Sequence, residues 1–137
     1  MADLKISQLT AVTTPLALTE ELPTVQSSTT KKVTVQQMLT GVIVTEATTA
    51  RILSASDNGK IIYCTSGSAT TITCAAALGV GFNVTIIQGG AGKVTVAAGG
   101  QTLVSYSGLL STIGQYAVIS LVTPVANTFV AAGNLGV

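Results

Sequence analysis

The chain has 137 residues, of which 8% are charged, and it contains two cysteines and no histidine. Average soluble domains carry roughly 25% charged residues. The formal net charge of +1 gives no electrostatic basis for binding nucleic acid or an acidic membrane surface. Lys93 is the only charged side chain from Ile61 to Val137. We therefore expect a surface of small polar residues, burial in a specific assembly, or both.

No segment predicts a membrane-spanning helix, because none reaches the roughly 18–20 uninterrupted apolar residues that such a helix needs. The closest run, 117–132, is broken by Ser120, Pro124 and Asn127. The first residues lack the apolar stretch and small-residue cleavage site of a secretory signal. These patterns predict a soluble protein made in the cytosol.

Residues 1–50 read as an N-terminal attachment arm with short strands and a connector. All charged residues except Lys93 lie at or before Lys60, and this part also holds Pro15 and Pro23. Alternating or turn-flanked runs predict short extended segments, namely Leu4–Leu9, Glu21–Gln26 and Lys31–Val35. Val42–Ser54 is a threonine-rich connector. The arm has too little apolar material for a core of its own, so we expect it to dock on a partner.

Residues 51–137 predict one β domain. Short β-branched runs recur about every ten residues and are separated by glycine- or proline-containing turns, which is typical of all-β sandwiches and barrels. The predicted strands are Ile61–Thr65, Thr70–Cys74, Phe82–Gln88, Lys93–Ala97, Thr102–Tyr106, Leu109–Ile113, Tyr116–Thr123 and Thr128–Ala132. The predicted fold is all-β: a small antiparallel β-sandwich or jelly-roll-like barrel with an extended N-terminal arm.

The stretch Gly81–Gly100 predicts a central β-hairpin. Two runs of alternating apolar and polar residues flank Gly89–Gly92, where glycines allow the chain to reverse. A phosphate-binding loop would need a first glycine where Ile87 stands and a hydroxyl where Val94 stands. The glycines are therefore interpreted as a hairpin turn.

The cysteines are expected to be buried free thiols. A second hairpin, Ile61–Ser66 with Thr70–Ala75, would set Cys64 opposite roughly Thr71, so a bridge to Cys74 would need another register. Cytosolic disulfides are also uncommon.

No constellation of residues predicts catalysis, a metal site or a cofactor. Without histidine there is no imidazole base or ligand, and no carboxylate follows Asp57. Glu20 and Glu21 are more simply a solvated pair at a turn than a pair for glycoside hydrolysis. Tyr63, Tyr106 and Tyr116 could stack on a sugar, but packing in the core or at a sheet edge is the favoured interpretation.

Two groups of segments resemble tailed-bacteriophage virion proteins. Lys5–Thr10, Thr14–Leu16 and Lys31–Val35 are similar to the N-terminal segment of tail-fibre and head-fibre proteins. A β module common in the same class is similar to Asp57–Cys64, Gly81–Gly92, Gly114–Ala117 and Asn127–Val130. The resemblance implies trimeric β assemblies that are fixed to the particle through the N-terminal part.

This resemblance implies a non-enzymatic virion structural protein, assembled in the host cytoplasm, that acts without nucleic acid or membrane as a partner. The favoured role is a capsid decoration (cement) protein that binds and stabilises the major capsid protein shell as a homotrimer. The alternative is a short tail or neck fibre or adaptor, with adhesion to host-surface glycans. The expected partner-binding residues of the arm are Lys5, Ile6, Leu9, Leu16, Leu22, Val33 and Val35.

Overall fold

The computed structural model of the protein describes residues 21–26, 29–34, 41–75 and 78–137. The chain divides into two compact units, Met1–Thr40 and Gly41–Val137. In the first unit, strand β1 (Glu21–Gln26) pairs antiparallel with β2 (Thr29–Thr34). These two strands lie where the sequence predicts extended segments.

The second unit is built from eleven further strands and one short 3-10 turn, Ala55–Asp57. In chain order the strands are β3 (Ile43–Glu46), β4 (Ala50–Ile52), β5 (Ile61–Cys64), β6 (Thr70–Cys74), β7 (Asn83–Gln88), β8 (Val94–Ala98), β9 (Thr102–Ser105), β10 (Ser111–Thr112), β11 (Val118–Val125), β12 (Thr128–Gly133) and β13 (Leu135–Gly136). Each of the eight predicted strands has a counterpart. The predicted connector Val42–Ser54 is wrong, because it supplies β3 and β4.

The strands form two mixed sheets. The six-stranded sheet has the order β3-β5-β7-β11-β12-β9, and the five-stranded sheet has the order β13-β10-β8-β6-β4. Within them, β3, β5 and β7 pair in parallel, and so do β4, β6 and β8. We call β3–β4, β5–β6 and β7–β8 the first, second and third rungs. Each rung places one strand in each sheet, and the rungs stack like those of a solenoid.

After the third rung the pairing changes. Strand β11 runs antiparallel to β7, and β10 runs antiparallel to β8. Strand β12 then pairs antiparallel with β11 and parallel with β9, while β13 pairs antiparallel with β10. The all-β class is therefore confirmed, whereas the arrangement is solenoid-like and not an antiparallel sandwich or jelly roll.

Both predicted hairpins are wrong. Strands β7 and β8 lie in different sheets, so Gly89–Gly92 is an arch between sheets, and the same holds for β5 and β6. Cys64 in consequence pairs with Gln88 and not with Thr71. Period-two alternation reports which face of a strand is buried, and it is identical for a hairpin and for an arch.

The core lies between the sheets and follows the alternation of each strand. Ile62, Ile86 and Ile119 are neighbours in the six-stranded sheet and are fully buried. Phe82 and Phe129 meet edge to face, with ring centroids 6.4 Å apart and an interplanar angle of 74°. Aromatic pairs in this geometry add about 0.5–1.5 kcal/mol beyond area burial.

Candidate interaction surface

The glycine-rich arch stacks on the arch of the preceding rung. The amides of Gly89 and Gly90 donate to the carbonyl oxygen of Cys64 over 2.7 and 2.9 Å, and that of Gly92 donates to Ser66 over 3.1 Å. A Cβ on Gly92 would lie 1.9 Å from the Ser68 carbonyl oxygen. Glycine is required here for close backbone approach. These amides are engaged within the fold, which argues against a phosphate-binding role.

A buried polar node joins the two sheets beside this arch. The Thr112 hydroxyl donates to Gln88 Oε1 and accepts the Val94 amide over 2.9 Å. Gln88 Nε2 in turn donates to the Gly90 carbonyl oxygen over 3.2 Å. The Thr112 hydroxyl, the Gln88 amide and the Val94 amide thus all have partners within the node, and the node fixes the arch relative to both sheets.

The first rung carries an ion cluster of Glu46, Arg51 and Asp57. Arg51 donates from Nη1 to Glu46 Oε2 over 2.9 Å and from Nη2 to Asp57 Oδ1 over 2.7 Å. Glu46 also accepts the amide and hydroxyl of Thr48, and Asp57 accepts the amide and hydroxyl of Ser54. The two carboxylates are therefore held by fixed partners and are not poised as a catalytic acid and base.

The pKa values of both carboxyl groups are lowered. The Thr48 hydroxyl is the largest influence on Glu46 and, with Arg51, lowers its pKa against the opposing effect of burial. For Asp57, burial alone would raise the pKa, but the Ser54 amide and the Arg51 guanidinium outweigh it. The cluster thus stays ionised at neutral pH.

This cluster forms a polar end to the solenoid-like stack. In the strand register Glu46 stands beside Cys64, and Arg51 stands beside Ile72. Core positions that are apolar in the second rung are therefore charged in the first. Stacked repeats need a polar terminal repeat, and inward-pointing charge discourages further strand addition at an edge. The cluster gives no signal in the sequence, because its members are brought together only by the rung geometry.

The outer face of the five-stranded sheet is polar at its centre, and Ile52, which is 70% exposed, lies on it at the β4 edge. Thr71 and Thr95 are register partners, and Thr95 pairs in turn with Ser111. The hydroxyls of Thr95 and Ser111 are 2.8 Å apart and share a hydrogen bond. Thr73 stands on the same side, two residues along β6 from Thr71. This face has the composition expected of a sheet surface in water.

The outer face of the six-stranded sheet carries more large apolar side chains, which share it with Thr45, Thr85 and Ser120. Val104, Val130 and Val122 are register neighbours across β9, β12 and β11, and 44%, 36% and 40% of their surfaces are exposed. Leu103 and Phe129, which alternate with them, pack in the core. We call this surface the apolar face; its large apolar members are Ile43, Ile61, Tyr63, Ile87, Val104, Val118, Val122 and Val130.

No charged residue belongs to the apolar face. The second unit contains five charged residues, Glu46, Arg51, Asp57, Lys60 and Lys93, and the first three form the ion cluster. Lys60 precedes β5 and Lys93 precedes β8, in the other sheet. An apolar sheet surface without charge is characteristic of a surface that contacts another protein.

The predicted arm residues are only partly described. Leu22 and Val33 are opposite each other in the β1–β2 pair. Lys5, Ile6, Leu9, Leu16 and Val35 lie outside the described residues. Their role in partner binding stays a prediction.

The tyrosine prediction is wrong at two positions. Tyr106 is fully exposed and Tyr116 is 69% exposed. Tyr106 lies just after the end of β9, and Tyr116 lies just before the start of β11. Tyr116 also has a left-handed backbone, with φ of 67°. Tyr63 is half-buried, and its ring packs so closely on Gly89 that an added Cβ would lie 2.3 Å away.

The two cysteines are buried and free, as predicted. Burial raises the pKa of the Cys74 thiol to about 11. Burial, with a further contribution from the charge of Glu46, does the same for Cys64. Neither thiol is activated for chemistry, because the thiolate is the reactive form.

Other candidate sites are weaker. A groove of about 220 Å³ beside the 3-10 turn is lined by Ala55, Asn58, Leu78, Gly79, Val80, Gly81 and Phe82, which offer no charged group to orient a ligand. Within the described residues, no group of three or more acidic or cysteine side chains could hold a metal ion. In the same part of the chain, no helix is long and apolar enough to cross a membrane.

No protein-family model and no curated protein matches the chain.

Proposed function

We propose that the chain is a capsid decoration protein of a tailed bacteriophage: a non-enzymatic homotrimer that binds and stabilises the shell of the major capsid protein. The observation that carries the proposal is the row of exposed valines, Val104, Val130 and Val122, on a sheet face without charge. Exposed apolar side chains that adjoin one another are typical of a surface that contacts another protein. The resemblance of the Lys5–Thr10 and Gly81–Gly92 segments to phage virion proteins indicates that the assembly is a phage particle.

The second unit suits a structural role. Its ion cluster holds three of its charges in fixed contacts, its thiols are buried, and its glycine arch is closed by backbone hydrogen bonds. Each polar feature described above serves the fold. A protein of this kind would act by mass action: binding only the assembled shell stabilises it by RT ln(1 + [L]/Kd), or about 2.7 kcal/mol per site at 100-fold saturation.

In this proposal, residues 1–40 attach the protein to the shell through Lys5, Ile6, Leu9, Leu16, Leu22, Val33 and Val35. This part holds six of the eleven charged residues and corresponds to the first of the chain's two units. Deleting residues 1–40 should leave a folded second unit that no longer binds particles. Undiminished particle binding by the truncated protein would refute the assignment.

A short tail or neck fibre, or an adaptor for one, is the second candidate. The three stacked rungs, whose strands pair in parallel as β3-β5-β7 and β4-β6-β8, favour it, because stacked repeats can extend in one dimension as a shaft does. Adhesion to host-surface glycans would fit this role.

The experiment that tests decoration compares DNA release from particles with and without the full-length protein as temperature is raised. We expect release to shift to higher temperature when the protein is added back to saturation. We expect the Arg51→Met variant to fold less stably, because it loses the centre of the ion cluster, and therefore to protect less above its own melting temperature. Identical release curves at full occupancy would contradict cementing and favour the fibre or adaptor.

A further inference from the structure

We propose that the first rung opens as a unit while the other strands stay folded, and that the ion cluster holds it closed until acid protonates the carboxylates. We call residues 43–54, which contain β3 and β4 and end before the 3-10 turn, the cap. The cap does not depend on the proposed function, because it follows from how this part of the chain is buried, paired and anchored.

The cap contributes little apolar surface to the core. Its buried side chains are Glu46 and Leu53, one charged and one apolar. The second rung, by contrast, buries a set of mainly apolar side chains at its inward positions: Ile62, Cys64, Thr70, Ile72 and Cys74. Parts of a protein with few buried apolar contacts open at a lower free energy than the core does. We therefore expect the cap to open before the rest of the second unit unfolds.

Strand pairing holds the cap on one side. Strands β3 and β4 are the terminal strands of their sheets, and they pair with β5 and β6. Their other edges pair with no described strand. The second unit begins at Gly41, so the cap is its first part in chain order and can separate without passing through another strand of the unit.

The chain that follows the cap is fixed to the third rung. Asn58 and Gly59 are the central residues of a tight turn, closed by the Lys60 amide, which donates to the Asp57 carbonyl oxygen over 3.0 Å. The Gly59 amide donates to the Asn83 carbonyl oxygen over 2.7 Å. The Asn83 amide donates in return to Asn58 Oδ1 over 2.9 Å. Asp57, directly before this turn, therefore stays with the folded strands when the cap opens.

Arg51 connects the cap to this fixed turn. Its Nη2 donates to Asp57 Oδ1 over 2.7 Å, from the cap to the 3-10 turn. Its Nη1 donates to Glu46 Oε2 over 2.9 Å, from β4 to β3. The first contact holds the cap on the turn, and the second holds the two strands of the cap together. Both carboxylates are too buried for water to replace the guanidinium.

Acid should release the cap, because both carboxyl groups must be ionised to pair with Arg51. Their pKa values are lowered in the folded protein, so the contacts are present above the unfolded values of about 4 and are lost as pH falls through the folded values. Arg51 is the charged group that lowers both. The neighbouring Cys64 thiol on β5 has a pKa of about 11 and stays neutral throughout this range.

Opening of the cap would uncover the second rung. Val44 and Arg51 stand beside Ile62 and Ile72 in the strand register, so these two buried isoleucines would lose their neighbours. Strands β5 and β6 would become the edges of their sheets. Unpaired strand edges are templates for pairing with another chain. The closed cap therefore protects the fold from strand addition at this end.

Hydrogen exchange of the full chain, resolved by residue with NMR, measures the opening. Three amides bridge the cap and the second rung over 2.8–2.9 Å, those of Leu53, Thr65 and Thr71. Two reference amides bridge strands outside the cap, those of Gln88 and Val96. At pH 7 we expect the bridging amides to exchange faster than the reference amides and to depend less on urea, because opening the cap exposes less surface than unfolding does.

Three variants separate the cap from the core. Arg51→Met should speed exchange of the bridging amides by roughly 100-fold, and Asp57→Asn, which keeps the shape of the side chain, should change it in the same direction. The matched control is Ile119→Val, at a fully buried position on β11. It should speed only the reference amides, by roughly 2- to 10-fold, because the closed and open states of the cap contain the same core.

The pH dependence tests the role of the ion cluster. The opening constant is the exchange rate divided by the rate of an unstructured chain. Between pH 7 and about pH 3 it should rise in the wild type toward the value of Arg51→Met, and it should not rise in that variant. Bridging and reference amides that exchange at one rate and respond equally to Ile119→Val would overturn the cap. A wild-type opening constant that is independent of pH would overturn its control by acid.

Discussion

Replacing Arg51 by methionine should destabilise the second unit strongly. The substitution leaves two carboxylates facing each other at the first rung, with side chains exposed by only 10% for Glu46 and 2% for Asp57. Removing one partner of a buried ion pair costs about 3–5 kcal/mol. The low end applies here, because both carboxylates keep hydrogen bonds to Thr48 and Ser54.

The expected loss is large relative to the total free energy of unfolding of a domain. Domains are typically stable by about 5–15 kcal/mol, so a loss of about 3 kcal/mol is a substantial fraction. At about 4–8 °C per kcal/mol for a domain of this size, the midpoint should fall by about 12 °C or more. Thermal and urea unfolding followed by circular dichroism measure both quantities. Lys60→Met, which removes a positive charge outside the cluster, is the matched control and should shift the midpoint little.

The pH dependence separates electrostatics from packing. The pKa values of Glu46 and Asp57 are lowered in the folded state, so their contribution is present above their unfolded pKa values of about 4 and is lost as pH falls through the folded values. The stability gap between wild type and Arg51→Met should therefore narrow below about pH 4. Adding Glu46→Gln and Asp57→Asn to Arg51→Met should recover part of the loss at pH 7. A gap that is equal at pH 3 and pH 7, with no recovery, would refute the reasoning.

Three further predictions concern the arches, the polar node and the thiols. Gly92→Ala should prevent stable folding, because its Cβ would lie 1.9 Å from a backbone oxygen, whereas Gly67→Ala, with no atom within 4 Å, should melt like wild type. Thr112→Val should lower the free energy of unfolding in urea by about 2–4 kcal/mol, because it leaves the Val94 amide and Gln88 Oε1 without hydrogen-bond partners. Thr112→Ser keeps the hydroxyl and should lose little stability. Equal losses in the two variants would contradict the role of the node. The two thiols, with pKa values of about 11, should resist an aromatic disulfide reagent at pH 8 in the native protein and react fully in denaturant; rapid native labelling would contradict their burial.

The sequence predicted strands better than it predicted their partners. Alternation placed β5 to β12 within a few residues, because each strand has one face in the core. It could not distinguish hairpin from arch at Gly89–Gly92, since linkers of this length serve both. The close approach of Gly92 to the Ser68 backbone, a contact between successive rungs, distinguishes the arch from a hairpin.

The candidate surface was partly visible in the sequence. Strand β11 carries Val118 and Val122 outward, on either side of the exposed Ser120, and Ile119 and Leu121 inward. Apolar residues on both sides of a strand indicate contacts on both sides. The ion cluster gave no comparable signal. Glu46, Arg51 and Asp57 are separated by irregular spacings and meet only because the first rung folds back at the 3-10 turn.

The central proposal, that the protein decorates a phage capsid, is tested most directly by its copy number in purified virions. Quantitative mass spectrometry against the major capsid protein gives that number without any variant. The decoration role predicts hundreds of copies, in a fixed ratio to the shell protein. About a dozen copies would place the protein in a fibre or neck complex, and its absence from purified virions would contradict the account.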